Sequence, residues 1–386
     1  MTAACHEGDM VLLCARSALS PTDAQRLRTL AAGSIDWELL FLLARKHRVL
    51  PLLERHLEAA CLEKAPRAWI ERLRSRTADN ARRNGQLAAE TGRVLALAER
   101  SGIVAVAFKG PLLAATAYGD LTLRQVWDID VLVEERQSES FVVILAAEGY
   151  VPKRRFDRAQ DLLHLETGIG IDLHWGLTPA FFPVDVGVGD LLSRRRQIIV
   201  GDAPCMVPDD ADMLFILCLQ LAKDCWERRQ HLEYLSKAVD IAEFLRSVPP
   251  LDWERIRADA QRQGWLRVLR FGLGLAAGLL DAPLPPSLRD DLRRDPTAAR
   301  LVADVCRRLF AAEDRTPFRL ADAPFTLHHR YRQLRFYMAM RERPSDWLRH
   351  LAEIGRSGMP RMASAWLGRR HGGGFCGKRS DGRAVA

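Results

Sequence analysis

The sequence predicts an α+β fold in which a small mixed β-sheet is flanked by N-terminal and C-terminal helical regions. Helical periodicity dominates from residue 21 to residue 100. Short apolar runs then alternate with helical patterns, and helical periodicity returns after Asp209. The resulting predicted regions are residues 1–100, 101–207, 208–368 and a tail at 369–386. Because the tail is rich in Gly and Arg, we expect it to be disordered.

Three helices are predicted in the N-terminal region. The first covers residues 24–31, and the second covers 37–46 with Ser34 or Asp36 as its N-cap. A longer helix is predicted over 67–100, where apolar residues recur at helical spacing.

The central region begins with the run at 103–108, which is apolar and partly β-branched and therefore favours a buried strand. Pro111 then suits the first turn of a helix, because a helix needs no N–H from that position. The predicted order is β-α-β-α-β-β-β. After the first strand, its elements are a helix at 112–118, a strand at 127–133, a helix at 135–148 and strands at 150–153, 162–166 and 169–174.

The C-terminal region is predicted to be helical, with Asp209 as the N-cap residue at its start. Its clearest predicted helices are 213–221, 231–245, 253–263 and 266–280, with more between 286 and 351.

The chain carries a formal charge of +8 and has a pI near 9.2, which permits an anionic partner such as a nucleotide or nucleic acid. The basic residues are spread along the chain rather than collected in one block, so the charge does not by itself favour nucleic acid. The eight cysteines form no C-x-x-C pair, which favours reduced thiols and a cytoplasmic protein. We expect neither a signal peptide nor a membrane segment, because the most apolar stretch, 268–280, is short and contains Arg270.

Three aspartates are the main indication of chemistry. Asp128 and Asp130 lie in one predicted strand and Asp172 lies in another. Side chains alternate along a strand, so Asp128 and Asp130 should point the same way, about 7 Å apart. A cluster of three carboxylates calls for a cation, and Mg²⁺ prefers oxygen ligands. The pattern therefore predicts metal-assisted phosphoryl or nucleotidyl transfer. Two solvent-facing aspartates at a sheet edge are the alternative.

The stretch from 103 to 175 resembles the nucleotidyltransferase superfamily of the DNA polymerase beta type, and more closely its group of uncharacterised bacterial nucleotidyltransferases. The motifs that carry the resemblance are Phe108-Lys109-Gly110, Tyr118-Gly-Asp120, Arg124, Trp127-Asp128-Ile-Asp130, Glu148-Gly-Tyr150 and Ile171-Asp172-Leu-His-Trp175. The resemblance implies that Asp128 and Asp130 are paired metal ligands. It also implies that Asp172 is a third ligand and the base that deprotonates the acceptor.

The phosphate-binding turn differs from the usual pattern of the superfamily, which is Gly-Gly or Gly-Ser. Here Lys109-Gly110 occupies the turn, and the gap to Asp128 is longer. Gly110 permits close approach of a phosphate to a helix N-terminus, and Lys109 supplies a charge or is a surface lysine. For Arg124 the options are a bidentate phosphate contact, support of Asp128 or a structural salt bridge. His174 shares the strand face of Asp172, as a neighbour of the metal site or as a core histidine.

The predicted function is Mg²⁺-dependent transfer of a nucleoside monophosphate from ATP or another NTP to a hydroxyl-type acceptor. The resemblance favours a small molecule or peptide of a natural-product pathway as the acceptor. Two alternatives stay open: an enzyme that modifies RNA ends or tRNA, and a non-catalytic nucleotide-binding protein of the same fold.

Overall fold

The computed structural model describes residues 6–178, 186–227, 234–310, 334–336 and 338–343, and it has the predicted α+β architecture. The N-terminal elements are α1 (His6–Cys14), α2 (Pro21–Ala31), α3 (Trp37–Lys46), α4 (Leu50–Ala60), a 3-10 turn (Leu62–Lys64) and α5 (Arg67–Arg100). Helices α1 and α4 were not among the predicted elements. Helix α4 lacks a side-chain cap and begins only a few residues after α3, so Pro51 in its first turn is a weak signal of a separate start.

The central region forms one five-stranded mixed sheet with the order β1-β2-β5-β4-β3. Strands β2 and β5 are parallel, and the other neighbours are antiparallel. Its elements are β1 (Ala105–Ala107), α6 (Gly110–Ala117), β2 (Asp128–Val133), α7 (Glu135–Ala147), β3 (Tyr150–Arg155), β4 (Ala159–His164) and β5 (Gly170–His174).

The two faces of this sheet differ in polarity. Ile129, Val131, Ile171 and Leu173 are buried in a core that also contains residues of α5 and α7. The residues between them along β2 and β5 are only half-buried and lie on the opposite face. This alternation is what a strand pair with one buried face requires, and it determines where the aspartates lie.

A second, two-stranded sheet was missed by the sequence analysis. Its strands are β6 (Arg196–Val200) and β7 (Ala203–Val207), and helix α8 (Val188–Ser193) precedes them. The hairpin packs on α5 and β1. A sequence signal was present, because a β-branched run is followed by a turn at Gly201, whose φ is +61°.

The C-terminal helices are α9 (Asp210–Glu227), α10 (Ser236–Ser247), α11 (Trp253–Gln263), α12 (Leu266–Leu280), α13 (Pro286–Arg294) and α14 (Pro296–Arg308). Helix α10 begins later than predicted, at Ser236 rather than at 231. The predicted tail at 369–386 lies outside the described residues.

The N-terminal and C-terminal helices bury their apolar faces in one shared core. Met10 and Leu27 from the first group belong to the same cluster as Leu217 and Phe271 from the second. The two helical regions therefore hold each other beside the sheet. None of the described helices combines the length and apolar character that crossing a bilayer needs.

Candidate active site

Strands β2 and β5 bring the three predicted aspartates onto one face of the sheet. In the parallel register, Asp130 lies opposite Asp172, and Asp128 lies opposite Gly170. On the other side of β5, Asp161 of β4 lies opposite Asp172. Three aspartates thus form a row across three strands, and Asp128 lies one pleat away.

Asp130, Asp172 and His174 can reach a common point. Each offers one ligand atom, and these atoms all lie within 4.8 Å of one another. His174 Nε2 lies 3.4 Å from Asp130 Oδ1. Among the described residues this buried nitrogen has no hydrogen-bond partner. Phe108 packs edge-on against the imidazole with 5.4 Å between the ring centroids, which helps to orient it.

Asp128 is not part of that group of three atoms, but its charge acts on the group. Burial, followed by repulsion from Asp130, raises the pKa of Asp128 to about 6. Burial together with the charges of Asp128 and Asp130 raises the pKa of Asp172 well above its ordinary value. The three carboxylates therefore resist being ionised together, as crowded like charges do.

Asp130 is the carboxylate that stays ionised. Burial acts to raise its pKa, but the ammonium of Lys109 and the contact with His174 outweigh burial and hold the pKa below its ordinary value. Lys109 Nζ donates a hydrogen bond of 3.0 Å to Asp130 Oδ1. Burial lowers the pKa of His174, which favours the neutral imidazole that can act as a metal ligand.

The Lys109–Gly110 turn adopts an unusual backbone conformation beside this cluster. Both residues have positive φ, +63° at Lys109 and +51° at Gly110. A non-glycine residue rarely adopts positive φ, and such strain tends to occur at functional sites. No side chain caps the start of α6, and a Cβ on Gly110 would lie 3.6 Å from the Asp128 carbonyl oxygen. The turn therefore directs the N-terminus of α6 towards the acidic face.

Arg124 makes a salt bridge with Asp240, and its positive charge also opposes the rise in the pKa of Asp128. Its Nε and Nη2 donate to Asp240 Oδ1 and Oδ2 of α10 at 2.8 and 2.9 Å, and its Nη1 donates to the Gly110 carbonyl oxygen at 3.3 Å. Tyr118 donates its hydroxyl proton to Asp240 Oδ1 at 2.7 Å. Of the three options that the sequence left open for Arg124, this geometry is that of the structural salt bridge.

The loop that connects α6 to β2 is also held from the other side by α5. Asn80 donates to the carbonyl oxygens of Thr122 and Arg124, and Asn84 donates to those of Leu121 and Arg124. Both asparagines are buried. They lie four residues apart and thus on one helix face, so they fix the backbone that leads into Asp128.

The residues present suit a divalent cation. Two carboxylates and a neutral imidazole converge, the imidazole nitrogen has no other partner among the described residues, and the carboxylates repel one another. Oxygen donors are typical of Mg²⁺, and adding an imidazole also accommodates Mn²⁺. A helix N-terminus and an ammonium lie beside the same carboxylates, as sites for phosphoryl groups often have.

Acidic residues on a mixed sheet, next to a strained turn and a helix N-terminus, are suited to nucleotidyl transfer, because carboxylates hold divalent cations and helix N-termini favour phosphate. A comparison with family models agrees: residues 33–281 match the family described as "Uncharacterised nucleotidyltransferase". This match spans more than half of the chain, so the protein belongs to that family and is a nucleotidyltransferase.

A search among curated proteins finds no match. A comparison with solved structures gives the antibiotic-resistance factor ANT(2'')-Ia in solution. It has 13% sequence identity and a TM-score of 0.30, and the alignment covers 56% of this chain and 96% of that one. At this TM-score the likeness carries no functional argument.

Sequence reasoning missed several residues around the site. Asp161 extends the acidic row, and Asn80 and Asn84 support the loop before β2. A signal existed for the asparagines, because Asn disfavours helix interiors and two of them recur there at helical spacing. Nothing local identified Asp161, because its role depends on strand register.

Proposed function

We propose that this protein transfers a nucleoside monophosphate from a nucleoside triphosphate to a hydroxyl-type acceptor, with Mg²⁺ held by Asp128, Asp130 and Asp172. The observation that carries this proposal is the convergence of ligand atoms of Asp130, Asp172 and His174 within 4.8 Å, with Asp128 near enough for Asp130 to raise its pKa. A divalent cation bound there would neutralise the carboxylates and polarise the α-phosphate.

The side chains of the site take separate roles in this proposal. Asp172 accepts the proton of the acceptor hydroxyl, whose oxygen forms a bond to the α-phosphorus. The bond between the α-phosphorus and the α,β-bridging oxygen breaks, and pyrophosphate leaves. Burial and the neighbouring charges raise the pKa of Asp172 in the absence of a cation, and a bound cation would favour the ionised form that accepts the proton.

Lys109 and Gly110 bind phosphate oxygens in this proposal. No side chain caps the α6 N-terminus, so an anion can compete for the N–H groups of its first turn, of which Pro111 supplies none. Lys109 already lies within 3.0 Å of Asp130, and its flexible side chain brings a positive charge to the same place. Arg124 acts indirectly, since it supports the carbonyl oxygen of Gly110 from behind.

The acceptor we propose is a small molecule or peptide, as the family resemblance suggests, and the compartment is the cytoplasm. The described cysteines form no disulfide bond, which agrees with a reducing environment. An RNA acceptor would require a basic surface to follow the strand, and its binding would weaken steeply with added salt.

The test is transfer of label from α-³²P-labelled NTPs in the presence of Mg²⁺, with an extract of the host cell as the source of acceptors. We expect label to move to a new species with the wild-type protein and not with Asp128→Asn. Separating the products by nuclease and protease sensitivity distinguishes an RNA, a peptide and a small molecule. Absence of transfer with every NTP, in Mg²⁺ and in Mn²⁺, would contradict the proposal.

A further inference from the structure

Arg48 occupies a strained position between helices α3 and α4. Its φ is +59°, in the left-handed region that residues other than glycine rarely adopt. The turn is tied to the rest of the molecule on two sides. Leu50 N–H donates to Gln125 Oε1 at 3.4 Å, and Ser236 N–H donates to the His47 carbonyl oxygen at 3.2 Å. The surroundings therefore determine the conformation of Arg48, as is typical of strained residues at functional sites.

The Arg48 guanidinium lies against two aromatic rings. Its Cζ is 3.5 Å from the centroid of the Tyr234 ring and 4.4 Å from that of Trp127. Trp127 directly precedes Asp128, and although it is a large apolar side chain it is 45% exposed. Stacking on rings uses the faces of a guanidinium and leaves the N–H groups at its edge available.

Those N–H groups have no partner in the part of the chain that the structure describes. By contrast, Lys109 and Arg124 each have an acidic partner: Lys109 contacts Asp130, and Arg124 contacts Asp240. Among the described side chains, the Arg48 guanidinium stacks on the two rings and makes no ion pair or hydrogen bond. A fixed, planar group of N–H donors matches the paired oxygens of a phosphate.

Arg48 also lies near enough to the acidic face for its charge to be felt there. Its positive charge is one of those that oppose the rise in the pKa of Asp128. The stack on Trp127 places it at the start of β2, the end that carries Asp128. An anion held on Arg48 would therefore lie beside the proposed metal site.

We propose that Arg48 binds the phosphate chain of the nucleoside triphosphate, an inference that rests on the proposed function. Trp127 and Tyr234 hold the Arg48 guanidinium in place. This assigns to the N-terminal helical region the bidentate phosphate contact that the sequence suggested for Arg124. The ligand class is a polyphosphate: the β- and γ-phosphates of the substrate and the pyrophosphate product. Trp127 is a positioning residue, since it acts through Arg48.

The test measures binding of inorganic triphosphate and of NTP, each with Mg²⁺, by titration calorimetry on the full chain. Arg48→Ala is expected to weaken both affinities about 10- to 100-fold, as for loss of hydrogen bonds to a charged group. Arg48→Lys keeps the charge without the planar fork and should recover part of the loss. Arg45→Ala is the matched control, because Arg45 is an exposed arginine in the last turn of α3, and it should bind like the wild type.

Trp127→Ala tests the positioning role at an exposed side chain whose loss should leave the fold intact. It should weaken triphosphate binding about 2- to 5-fold, as for loss of an exposed cation–π contact, and Trp127→Phe should restore most of it. A purely structural tryptophan would show no such difference between Phe and Ala in triphosphate affinity.

The outcomes separate this inference from the proposed function. Wild-type affinity in Arg48→Ala, with nucleotide still bound, overturns the role of Arg48 and leaves nucleotidyl transfer standing. Equal losses in Arg45→Ala and Arg48→Ala also overturn it, because they indicate a general charge effect. If the folded wild-type protein binds neither triphosphate nor NTP, both proposals fail together.

Discussion

Two clusters of charged residues meet at the Lys109–Gly110 turn, and they differ in the balance between positive and negative charge. On the acidic face, Asp128, Asp130 and Asp172 crowd together, and the Lys109 ammonium contacts Asp130. Behind the turn, Arg124 and Asp240 pair in bidentate fashion. One cluster has an excess of negative charge, and the other is balanced.

The difference distinguishes a site that can bind a cation from a contact that stabilises the fold. A buried carboxylate in a bidentate pair with arginine has its oxygens satisfied, so a cation has nothing to add there. Carboxylates that raise one another's pKa are stabilised in their ionised form when a cation binds between them. Both clusters consist of acidic and basic residues, and the way in which these residues pair distinguishes the clusters.

The largest effect is expected from breaking the balanced pair. Asp240→Asn leaves the Arg124 guanidinium buried without a countercharge, so we expect the protein to lose about 3–5 kcal/mol of stability. Urea unfolding followed by circular dichroism measures this loss. The double variant Asp240→Asn/Arg124→Gln should lose less than the sum of the two single variants, because it removes both charges. Additive losses would show that the two side chains do not act as a pair.

Breaking the acidic cluster should instead damage activity. Asp130→Asn is expected to lower nucleotidyl transfer about 10²- to 10³-fold, in the range found when a preorganised electrostatic group is removed from an active site. Its circular dichroism spectrum should match that of the wild type. Asp202→Asn, in the exposed turn of the β6–β7 hairpin, is the matched control and should retain full activity. Normal turnover by Asp130→Asn would remove the basis for the proposed metal site.

The sequence predicted the acidic face well because its information is local. Alternation along a strand places Asp128 and Asp130 on the same side whatever the rest of the chain does. The third aspartate could be assigned through the family resemblance, and the parallel pairing of β2 with β5 then places it opposite Asp130.

The balanced pair depends on tertiary contacts and was beyond local reasoning. Arg124 and Asp240 are 116 residues apart. Arg48 contacts Trp127 and Tyr234 from a turn in a different region again. No periodicity or spacing indicates which arginine faces a carboxylate and which faces an aromatic ring. The β6–β7 hairpin differs from these contacts, because its turn at Gly201 is a local signal from which the hairpin could have been predicted.

Tyr118→Phe sharpens the view that the Arg124–Asp240 pair is structural. The substitution removes one hydrogen bond to the Asp240 carboxylate and leaves the two from Arg124 in place. We expect a loss of about 1.5 kcal/mol, less than for Asp240→Asn, with little change in kcat. Urea unfolding and initial rates measured on the same samples provide both values. A fall in kcat without a fall in stability would place Tyr118 in the chemistry rather than in the fold.

Asp172→Asn should have the smallest effect on stability and the opposite sign. In wild-type protein without metal, burial and the charges of Asp128 and Asp130 disfavour the ionised Asp172. An asparagine removes that repulsion, so the variant should be more stable than the wild type by about 1 kcal/mol in EDTA, although it should be inactive. Added Mg²⁺ should stabilise the wild type more than the variant, because the cation offsets a repulsion that the variant lacks. Thermal unfolding with EDTA and with Mg²⁺ gives both differences.

If Asp172→Asn were destabilising in EDTA by as much as Asp240→Asn, the acidic face would be a structural network like the Arg124–Asp240 pair. The contrast between the two clusters would then not hold.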